Sequence, residues 1–325
     1  MRFSTRFSRT RRLQVTGLLG ATSLLIAACA GSPDPATDPE EVIELKMAVA
    51  PSATFAPVFV GVETGIFEEH GIDLELDVGG LAPTTLPRLL QGEIDLAAST
   101  WGSLVTARAE KLPLVGVAGI DRGGDTPEDD YQGIMVGEDG PTSLKELEGK
   151  TIGVPSLQSF TDAQVRSLLE AEGVDTDTIR FLAVGFPDMP NALSSGQVDA
   201  VGVVEPFKTI IEQQGGEALS TLSRSQLMGS VLASEQFVEE NPEKLERFLA
   251  AWQETLEYTA ENEDDVRSAL VSGFDIEEDL ASEITLPIWI TSDVAPDDVQ
   301  EIADMLAEVD MVSDTIPSSE LMAEM

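Results

Sequence analysis

Short β-branched runs alternate with amphipathic stretches of helical spacing along most of the chain. This alternation is typical of an α/β fold whose strands are mostly parallel. In the first half, the pattern predicts four strands and three helices, and Gly or Pro closely follows each helix. The predicted strands are 45–50, 72–78, 94–98 and 114–120, and the predicted helices are 57–70, 84–91 and 101–110.

The second half repeats the order of the first, which indicates two lobes built from the same kind of unit. Its predicted strands are 151–154, 179–184 and 200–204, and its predicted helices are 161–172 and 189–195. Two short strings also recur in the same order. In each string a glycine that can adopt a left-handed backbone closes a helix, and the chain turns directly into a strand. Gly71-Ile72-Asp73 corresponds to Gly173-Val174-Asp175, and Gly92-Glu93-Ile94-Asp95 corresponds to Gly196-Gln197-Val198-Asp199.

The C-terminal part, from Glu235 to Met325, is predicted to be mostly helical and to form a cap on the first lobe. A helix begins at Pro242, and its apolar stripe continues through Trp252 and Leu256. After residue 28, no stretch of the sequence is long and apolar enough to cross a membrane.

The first 28 residues have the pattern of a secretory signal peptide. Five arginines precede residue 13, an apolar run follows, and small residues lead to Cys29, the single cysteine. The string Leu25-Ile26-Ala27-Ala28-Cys29 resembles the lipobox of bacterial lipoproteins, in which the cysteine thiol is acylated; the alternative is a buried structural cysteine. Thr10-Arg11-Arg12-Leu13 is also similar to a twin-arginine signal. Residues 29–44, rich in proline and acids, are predicted to be a disordered tether between a lipid anchor and the folded body.

The chain is strongly acidic, with 59 Asp and Glu against 19 Lys and Arg and a formal net charge of −40. Removal of the signal peptide would leave 14 basic and 59 acidic residues, a formal charge of −45. Such a surface repels a phosphate backbone, which argues against nucleic-acid binding. We interpret the acidity as an adaptation to high salt or acidic surroundings outside the cell. The single His and single Cys argue against a His-rich metal site and a Ser-His-Asp nucleophile, and no cofactor, metal or catalytic residue is predicted.

Four segments of the sequence carry a family resemblance. Residues 57–76 read PVFVGVETGIFEEHGIDLEL and residues 89–95 read LLQGEID, while residues 144–155 read LKELEGKTIGVP and residues 201–207 read VGVVEPF. The first two segments resemble the first lobe of substrate-binding proteins of ABC importers, and the last two resemble the second lobe. The most similar group serves nitrate, sulfonates, taurine and the pyrimidine precursor of thiamine. The resemblance covers about residues 45–310.

The resemblance implies a type 2 periplasmic-binding-protein fold, which is α/β with two lobes that close over a ligand held between them. The chain would cross between lobes near Ile134 and near residues 228–232. Lobe 1 would then comprise 45–134 plus 228–325, and lobe 2 would comprise 135–227. The resemblance also implies a small-molecule solute, no enzymatic activity, a monomer, a membrane permease as partner, and a location outside the cytoplasm on a lipid anchor.

Ligands of open α/β sheets bind beyond the carboxyl ends of the strands, where loops and helix N-termini present N–H groups. Hydroxyls and amides there would orient a small polar solute, and aromatic rings would cover it. In the first lobe, this rule selects Ser52, Thr54, Phe55, Gly80, Ser99, Thr100 and Trp101. In the second lobe, it selects Ser156, Gln158, Ser159, Phe160, Thr161, Asp188 and Glu205. Other roles stay open, namely helix capping for Ser99, Thr100, Ser159 and Thr161, core packing for Trp101 and Phe160, and holding the hinge for Glu205.

The sequence gives two opposing indications of the ligand's charge. Helix N-termini and hydroxyls can bind nitrate or a sulfonate, although Arg122 is the one base near these loops. Asp188 and Glu205 favour a cationic or hydrogen-bond-donating heterocycle, such as an aminopyrimidine, stacked on an aromatic ring. The nitrogenous solute is our prediction, with a sulfonate or nitrate as the alternative.

Two other functions are compatible with this fold. Thiamine-pyrimidine synthases share it, but they carry a Cys-rich motif and an active-site His, whereas this chain has only Cys29 and His70. A surface ligand sensor that works without a transporter is the third hypothesis.

Overall fold

The computed structural model describes residues 42–50, 52–80, 82–274 and 276–323. The predicted signal peptide, Cys29 and most of the predicted tether lie outside these ranges. Within the described residues, the chain forms two five-stranded sheets with helices packed around them. None of the described helices is long and apolar enough to cross a membrane.

The first sheet contains the four strands predicted from the first half of the sequence and one strand from much later in the chain. They are β1 Ile43–Val49, β2 Ile72–Val78, β3 Leu96–Thr100, β4 Leu114–Gly119 and β11 Gly229–Ser234. Their order across the sheet is β2-β1-β3-β11-β4. β1 is parallel to β2 and β3, whereas β11 is antiparallel to β3 and β4. Because β1 begins at Ile43, the tether predicted to end at residue 44 is too long by two residues.

The second sheet contains the three strands predicted from the second half and, on one side of them, two strands that the pattern did not predict. They are β6 Gln132–Val136, β7 Thr151–Val154, β8 Arg180–Ala183, β9 Ala200–Val204 and β10 Glu217–Thr221. Their order is β10-β6-β9-β7-β8. β7 is parallel to β8 and β9, and β6 is antiparallel to β9 and β10. Each sheet is thus mostly parallel, with one reversed strand.

The reversed strands β6 and β11 each follow a segment in which the chain passes from one sheet to the other. Ile134, where we predicted the first crossing, lies inside β6 and pairs within the second sheet, so the crossing itself comes before Gln132. The buried carboxylate of Asp130 joins the two crossing segments. It accepts hydrogen bonds from the backbone N–H groups of Leu222 (3.1 Å) and Ser223 (3.0 Å), and from the Ser223 hydroxyl (2.6 Å).

Helices from both ends of the described chain pack on the first sheet. The N-terminal ones are α1 Ala56–Thr64, α2 Ile66–Glu69, α3 Ala82–Leu90 and α4 Trp101–Ala109. The C-terminal ones are α8 Glu235–Glu240, α9 Pro242–Glu261, α10 Glu263–Phe274, α11 Glu278–Glu283, α12 Pro296–Glu308 and α13 Ser318–Leu321. Phe248 of α9 stacks on Phe67 of α2, with ring centroids 5.9 Å apart, and Trp252 Nε1 donates to the Gly119 carbonyl (3.0 Å). The predicted helical cap on the first lobe is confirmed.

Three helices and a small ribbon complete the architecture. The helices of the second lobe are α5 Phe160–Ala171, α6 Met189–Ser194 and α7 Phe207–Gln213. Strands β5 Asp121–Arg122 and β12 Ile288–Trp289 form an antiparallel ribbon beside the first sheet. α12 contacts both α4 and α5, and therefore contacts both lobes.

Candidate functional site

The first candidate residues follow β1, at the carboxyl end of the first sheet. Ser52 is half-buried at the start of a single helical turn, Ala53–Phe55. Thr54 is buried, and its hydroxyl interacts with the hydroxyl of Tyr131, which directly precedes β6. Phe55 belongs to the apolar core of the first lobe. Of this loop, Thr54 is the residue whose polar group reaches the segment leading to the second lobe.

The candidates after β2 and β3 differ in exposure. Gly80 is exposed, with a left-handed φ of +81°. Ser99 and Thr100 are half-buried at the end of β3, and Ser99 pairs with Ser230 of β11. The Thr100 hydroxyl accepts a hydrogen bond from the Ser103 N–H (3.1 Å), so Thr100 caps α4, which was its alternative role.

The loop after β7 closes on itself by hydrogen bonds. Ser159 Oγ accepts from the Asp162 N–H (3.2 Å) and caps α5, while the Gln158 N–H donates to Asp162 Oδ2 (2.8 Å). The side chains of Ser156 and Gln158 are exposed, and Thr161 is half-buried. The next candidate, Asp188, is exposed before α6 and makes no capping hydrogen bond.

Phe160 and Trp101 lie where the two lobes touch. The Phe160 ring lies on Gly102 of α4, where an added Cβ would be only 2.1 Å from the ring. The buried indole of Trp101 covers Gly116 of β4, where an added Cβ would be 2.4 Å from it. Both aromatic residues belong to one apolar cluster with members from each lobe. Both therefore serve as core residues. Trp101 also has polar surroundings.

Five buried residues are linked to Met228 either directly or through one another, and we call them the cleft cluster: Trp101, Asp121, Tyr131, Gln132 and Gln164. The Met228 carbonyl accepts a hydrogen bond from the backbone N–H of Trp101 (3.0 Å), and the Met228 N–H donates to the backbone carbonyl of Asp121 (2.9 Å). The Met228 sulfur lies 3.2 Å from Gln164 Nε2, in hydrogen-bonding geometry. Tyr131 interacts with Asp121, and Gln132 follows Tyr131 at the start of β6. The cluster thus combines residues from the ends of both sheets.

Four members of the cleft cluster hold buried polar atoms that lack a hydrogen-bond partner among the described residues. These atoms are Trp101 Nε1, Asp121 Oδ2, Gln132 Nε2 and Oε1, and Gln164 Oε1. They are also all the unpartnered buried side-chain atoms that the described part of the chain contains. Each such group costs about 1–3 kcal/mol of folding free energy when it stays unpaired, so these four residues are candidates for hydrogen bonding to a ligand.

Asp121 is the electrostatic centre of the cleft cluster. Its side chain is fully buried, and Oδ1 accepts from the Gly229 N–H (2.9 Å). Burial raises the pKa of Asp121 to about 7, although the Tyr131 hydroxyl and the Gly229 N–H act to lower it. The charge of Asp130 adds to the rise. A carboxylate in this setting favours a ligand that donates hydrogen bonds over an anion.

Glu205 lies between the lobes but has its own partners. Its buried carboxylate accepts from the Thr209 N–H (3.0 Å), the Thr209 hydroxyl (2.9 Å) and the N–H of Thr285 in the C-terminal part (3.2 Å). Burial raises its pKa, while these hydrogen bonds and the nearby Lys208 act to lower it. With three donors already bound, Glu205 fits the alternative role of joining the lobes better than direct contact with ligand.

Two basic side chains near the site are already paired. Arg122 donates to Asp298 Oδ2 (2.7 Å) and to the Ser225 carbonyl (3.2 Å). Lys208, which the sequence analysis did not consider, is 2% exposed, and its Nζ lies 3.6 Å from Glu212. Neither arrangement presents an unpaired cation to an anionic ligand.

Sequence reasoning missed four of the five residues of the cleft cluster. Asp121 follows the fourth strand, so the strand-end rule that selected Ser52 and Trp101 could have selected it. Gln132 begins a reversed strand, whose amino end lies at the edge where parallel strands have their carboxyl ends. Gln164 lies within a helix, where the rule does not apply. Only the topology brings these two residues to the site.

A groove of about 730 Å³ lies elsewhere on the second lobe and has a different character. Its lining includes Glu138, Glu146, Lys150 and Asp199. Lys150 and Asp199 precede β7 and β9, so the groove lies at the amino ends of these strands, opposite the edge that carries the cleft cluster. Within the described residues, no group of His, Cys, Asp and Glu could hold a metal ion.

Comparison with known proteins gives one matching family and two informative relatives. The family model described as NMT1/THI5 like matches residues 52–266. A formylaminopyrimidine-binding protein of Halalkalibacterium halodurans is 26% identical over 263 residues, which cover 78% of this chain and 76% of that protein. The 4-amino-5-hydroxymethyl-2-methylpyrimidine phosphate synthase THI5 of Saccharomyces cerevisiae is 20% identical over 227 residues, covering 64% of each chain.

Solved structures share the fold. The periplasmic aliphatic sulphonate binding protein SsuA from Escherichia coli superimposes with a TM-score of 0.73 at 18% sequence identity. The match covers 86% of this chain and 92% of that one. The predicted two-lobed fold of periplasmic binding proteins is therefore confirmed.

Proposed function

This chain belongs to the NMT1/THI5-like family, and from that premise we propose that it is the solute-binding component of an ABC importer, with a small nitrogenous heterocycle as its solute. The fold it shares with periplasmic binding proteins supports a role in binding outside the cytoplasm. The ligand would bind at the cleft cluster, and closing of the lobes over it would produce the shape that a permease recognises.

The proposed ligand class rests on the unpartnered hydrogen-bond acceptors of the cleft cluster. Buried oxygens of Gln132, Gln164 and Asp121 lack a hydrogen-bond donor by geometry, and the last belongs to a carboxylate that also interacts with the Tyr131 hydroxyl. An aminopyrimidine offers several N–H donors and a flat ring. Trp101 and Tyr131 are buried aromatic residues of the cleft cluster, which suits a flat ring, and the name of the Halalkalibacterium relative supports this class.

An anionic ligand would meet the opposite chemistry. Burying a sulfonate beside the ionised form of Asp121 would place two like charges in a medium of low dielectric constant, where repulsion is strong. Arg122, which the sequence suggested as a base for an anion, is paired with Asp298. The cleft of this chain thus favours a ligand that donates hydrogen bonds, whereas its structural neighbour SsuA is named as a sulphonate-binding protein.

We also propose that the mature protein is a monomer on a lipid anchor at Cys29.

The residues of the cleft cluster give no support for the reactive site that an enzyme of the synthase type needs. His70 ends α2 and contacts Glu254 on α9 (2.8 Å), on the helical side of the first lobe and not in the cleft cluster. A sensor without a transporter would share the same binding site, and the presence of permease and ATPase genes beside this one would distinguish the two.

Calorimetric titration of the purified protein tests the ligand class directly. The panel is formylaminopyrimidine, 4-aminopyrimidine, taurine and nitrate, with native mass spectrometry of the protein as purified to detect a retained solute. We expect the aminopyrimidines to bind at least tenfold more tightly than either anion, a difference of about 1.4 kcal/mol. Tighter binding of taurine or nitrate would refute the proposed ligand class. Conversion of a bound aminopyrimidine to product would refute the assignment as a binding protein.

A further inference from the structure

The side chain of Gln132 is a buried amide without a hydrogen-bond partner among the described residues. It is 1% exposed, and neither Nε2 nor Oε1 has a hydrogen-bond partner among the described residues. Its backbone, by contrast, is well held, because its N–H donates to Asp130 Oδ1 (3.1 Å) and the residue pairs with Val204 of β9. The side chain is thus fixed in place by its strand while both its donor and its acceptor remain unused.

The position of Gln132 on β6 determines what it faces. Side chains alternate along a strand, so Gln132 lies on the same face as Ile134 and Val136. Those two pack in one apolar cluster with Val165 of α5. Gln132 is at the end of that face nearest the crossing between the lobes, and Gln164, whose Oε1 is also unpartnered, is the neighbour of Val165. No hydrogen bond joins the two amides, because both polar atoms of Gln132 lack a partner among the described residues.

An amide without partners can recognise one particular arrangement of hydrogen-bonding groups on a ligand. Its N–H donates and its carbonyl accepts, so it forms two parallel hydrogen bonds with a ligand that carries an acceptor next to a donor. A ring nitrogen beside an exocyclic amine has this pattern, and so does a carboxamide. A sulfonate or nitrate offers acceptors alone and leaves the Gln132 carbonyl unpaired.

We propose that Gln132 is the specificity-determining residue that recognises an adjacent acceptor–donor edge on the solute. The inference rests on the proposed function, because it assigns a residue to recognition in that same cleft. Gln132 belongs to the second lobe through β6, whereas Asp121 follows the last parallel strand of the first. A solute held by both would draw a hydrogen bond from each lobe.

This role gives Gln132 a stability signature that a structural residue does not have. A buried amide without partners weakens the unliganded fold, and an apolar side chain of similar length removes that penalty. Gln132→Met should therefore raise the melting temperature of the unliganded protein, by about 2–4 °C for a chain of this size. The same change should weaken ligand binding. A glutamine that held the fold together would show a lower melting temperature.

The experiment compares wild type, Gln132→Met and Gln197→Met against 4-aminopyrimidine and unsubstituted pyrimidine. Gln197 is an exposed glutamine of the same lobe and serves as the matched control. We expect Gln132→Met to lower affinity for 4-aminopyrimidine tenfold to a hundredfold and to leave pyrimidine, which lacks the donor, within about threefold. Gln197→Met should alter neither. Where 4-aminopyrimidine or pyrimidine binds too weakly for direct titration, its affinity is measured by its displacement of bound formylaminopyrimidine.

The outcomes separate this inference from the proposed function. If wild type binds 4-aminopyrimidine and Gln132→Met binds it equally well, the role of Gln132 is refuted and the proposed function stands. If wild type binds only taurine or nitrate, or none of the panel, both fail. If Gln132→Met does not fold, that result alone refutes the expected stability gain. Gln132→Leu, an uncharged side chain of similar size that lacks the amide, then measures recognition independently.

Discussion

Replacement of Asp121 by asparagine should remove a pH-dependent cost from the folded protein. Asp121 is fully buried, and its pKa in the folded protein is about 7, against 3.8 for an unperturbed aspartate. A rise of about three pKa units corresponds to about 4 kcal/mol, at about 1.4 kcal/mol per unit. Because the folded pKa is the higher one, the stability linked to this group is full below about pH 4 and is lost as the pH rises through about 7.

Urea unfolding of both proteins between about pH 5 and about pH 8 measures this cost. Asparagine keeps an oxygen for the Gly229 N–H and does not titrate, so it should lose no stability from this site. Relative to wild type, Asp121→Asn should gain about 2–3 kcal/mol across that range, since most of the titration falls within it. Asp188→Asn, at an exposed position, is the control, and its difference from wild type should not change with pH.

A constant difference between wild type and Asp121→Asn across the range would refute the reasoning, because it would mean that Asp121 ionises as easily in the folded as in the unfolded chain. The comparison with the variant is essential. The many other acids of this chain also repel one another more strongly as the pH rises, and that common effect cancels in the difference.

Three further predictions test the packing and the surface. Asp130→Ala should cost about 3–5 kcal/mol of unfolding free energy in urea titrations, because it strips buried donors of their acceptor; the exposed Asp129→Ala should cost far less. Gly102→Ala should cost about 1–3 kcal/mol through its clash with the Phe160 ring, and the loss should shrink when Phe160→Ala is added; equal losses in both backgrounds would contradict the contact. Salt should screen the repulsion of a chain of net charge −40 and raise the melting temperature between about 0.1 M and about 2 M KCl, whereas a fall would contradict a salt-adapted surface.

Much of the fold could be predicted because its signals are local. The predicted bounds of β2, β7 and β9 agree with the structure, since β2 alternates apolar and acidic residues and β7 and β9 are short runs rich in β-branched residues. β3 was predicted two residues too early. Ile94 is buried but precedes the strand, so hydrophobicity alone suggested a strand where pairing with β1 had not begun.

The reversed strands were less accessible to sequence reasoning. β6 and β11 were recognised only as approximate crossing points, because the direction of a strand and its neighbours depend on contacts between residues far apart in the chain. β11 pairs with β3 and β4, which precede it by more than a hundred residues. No local pattern carries that information.

By itself, the sequence determined the fold class, the two lobes, the helical cap and the edge of the sheets at which to look for a ligand. The tertiary structure decided which polar side chains at that edge are hydrogen-bonded within the chain and which are not. Thr100 and Ser159, which the sequence selected as ligand contacts, cap helices, whereas the unpartnered amides of Gln132 and Gln164 are evident only in the folded chain. The reason is physical: whether a polar atom is satisfied depends on every neighbour within hydrogen-bonding distance, and most of those neighbours are distant in sequence.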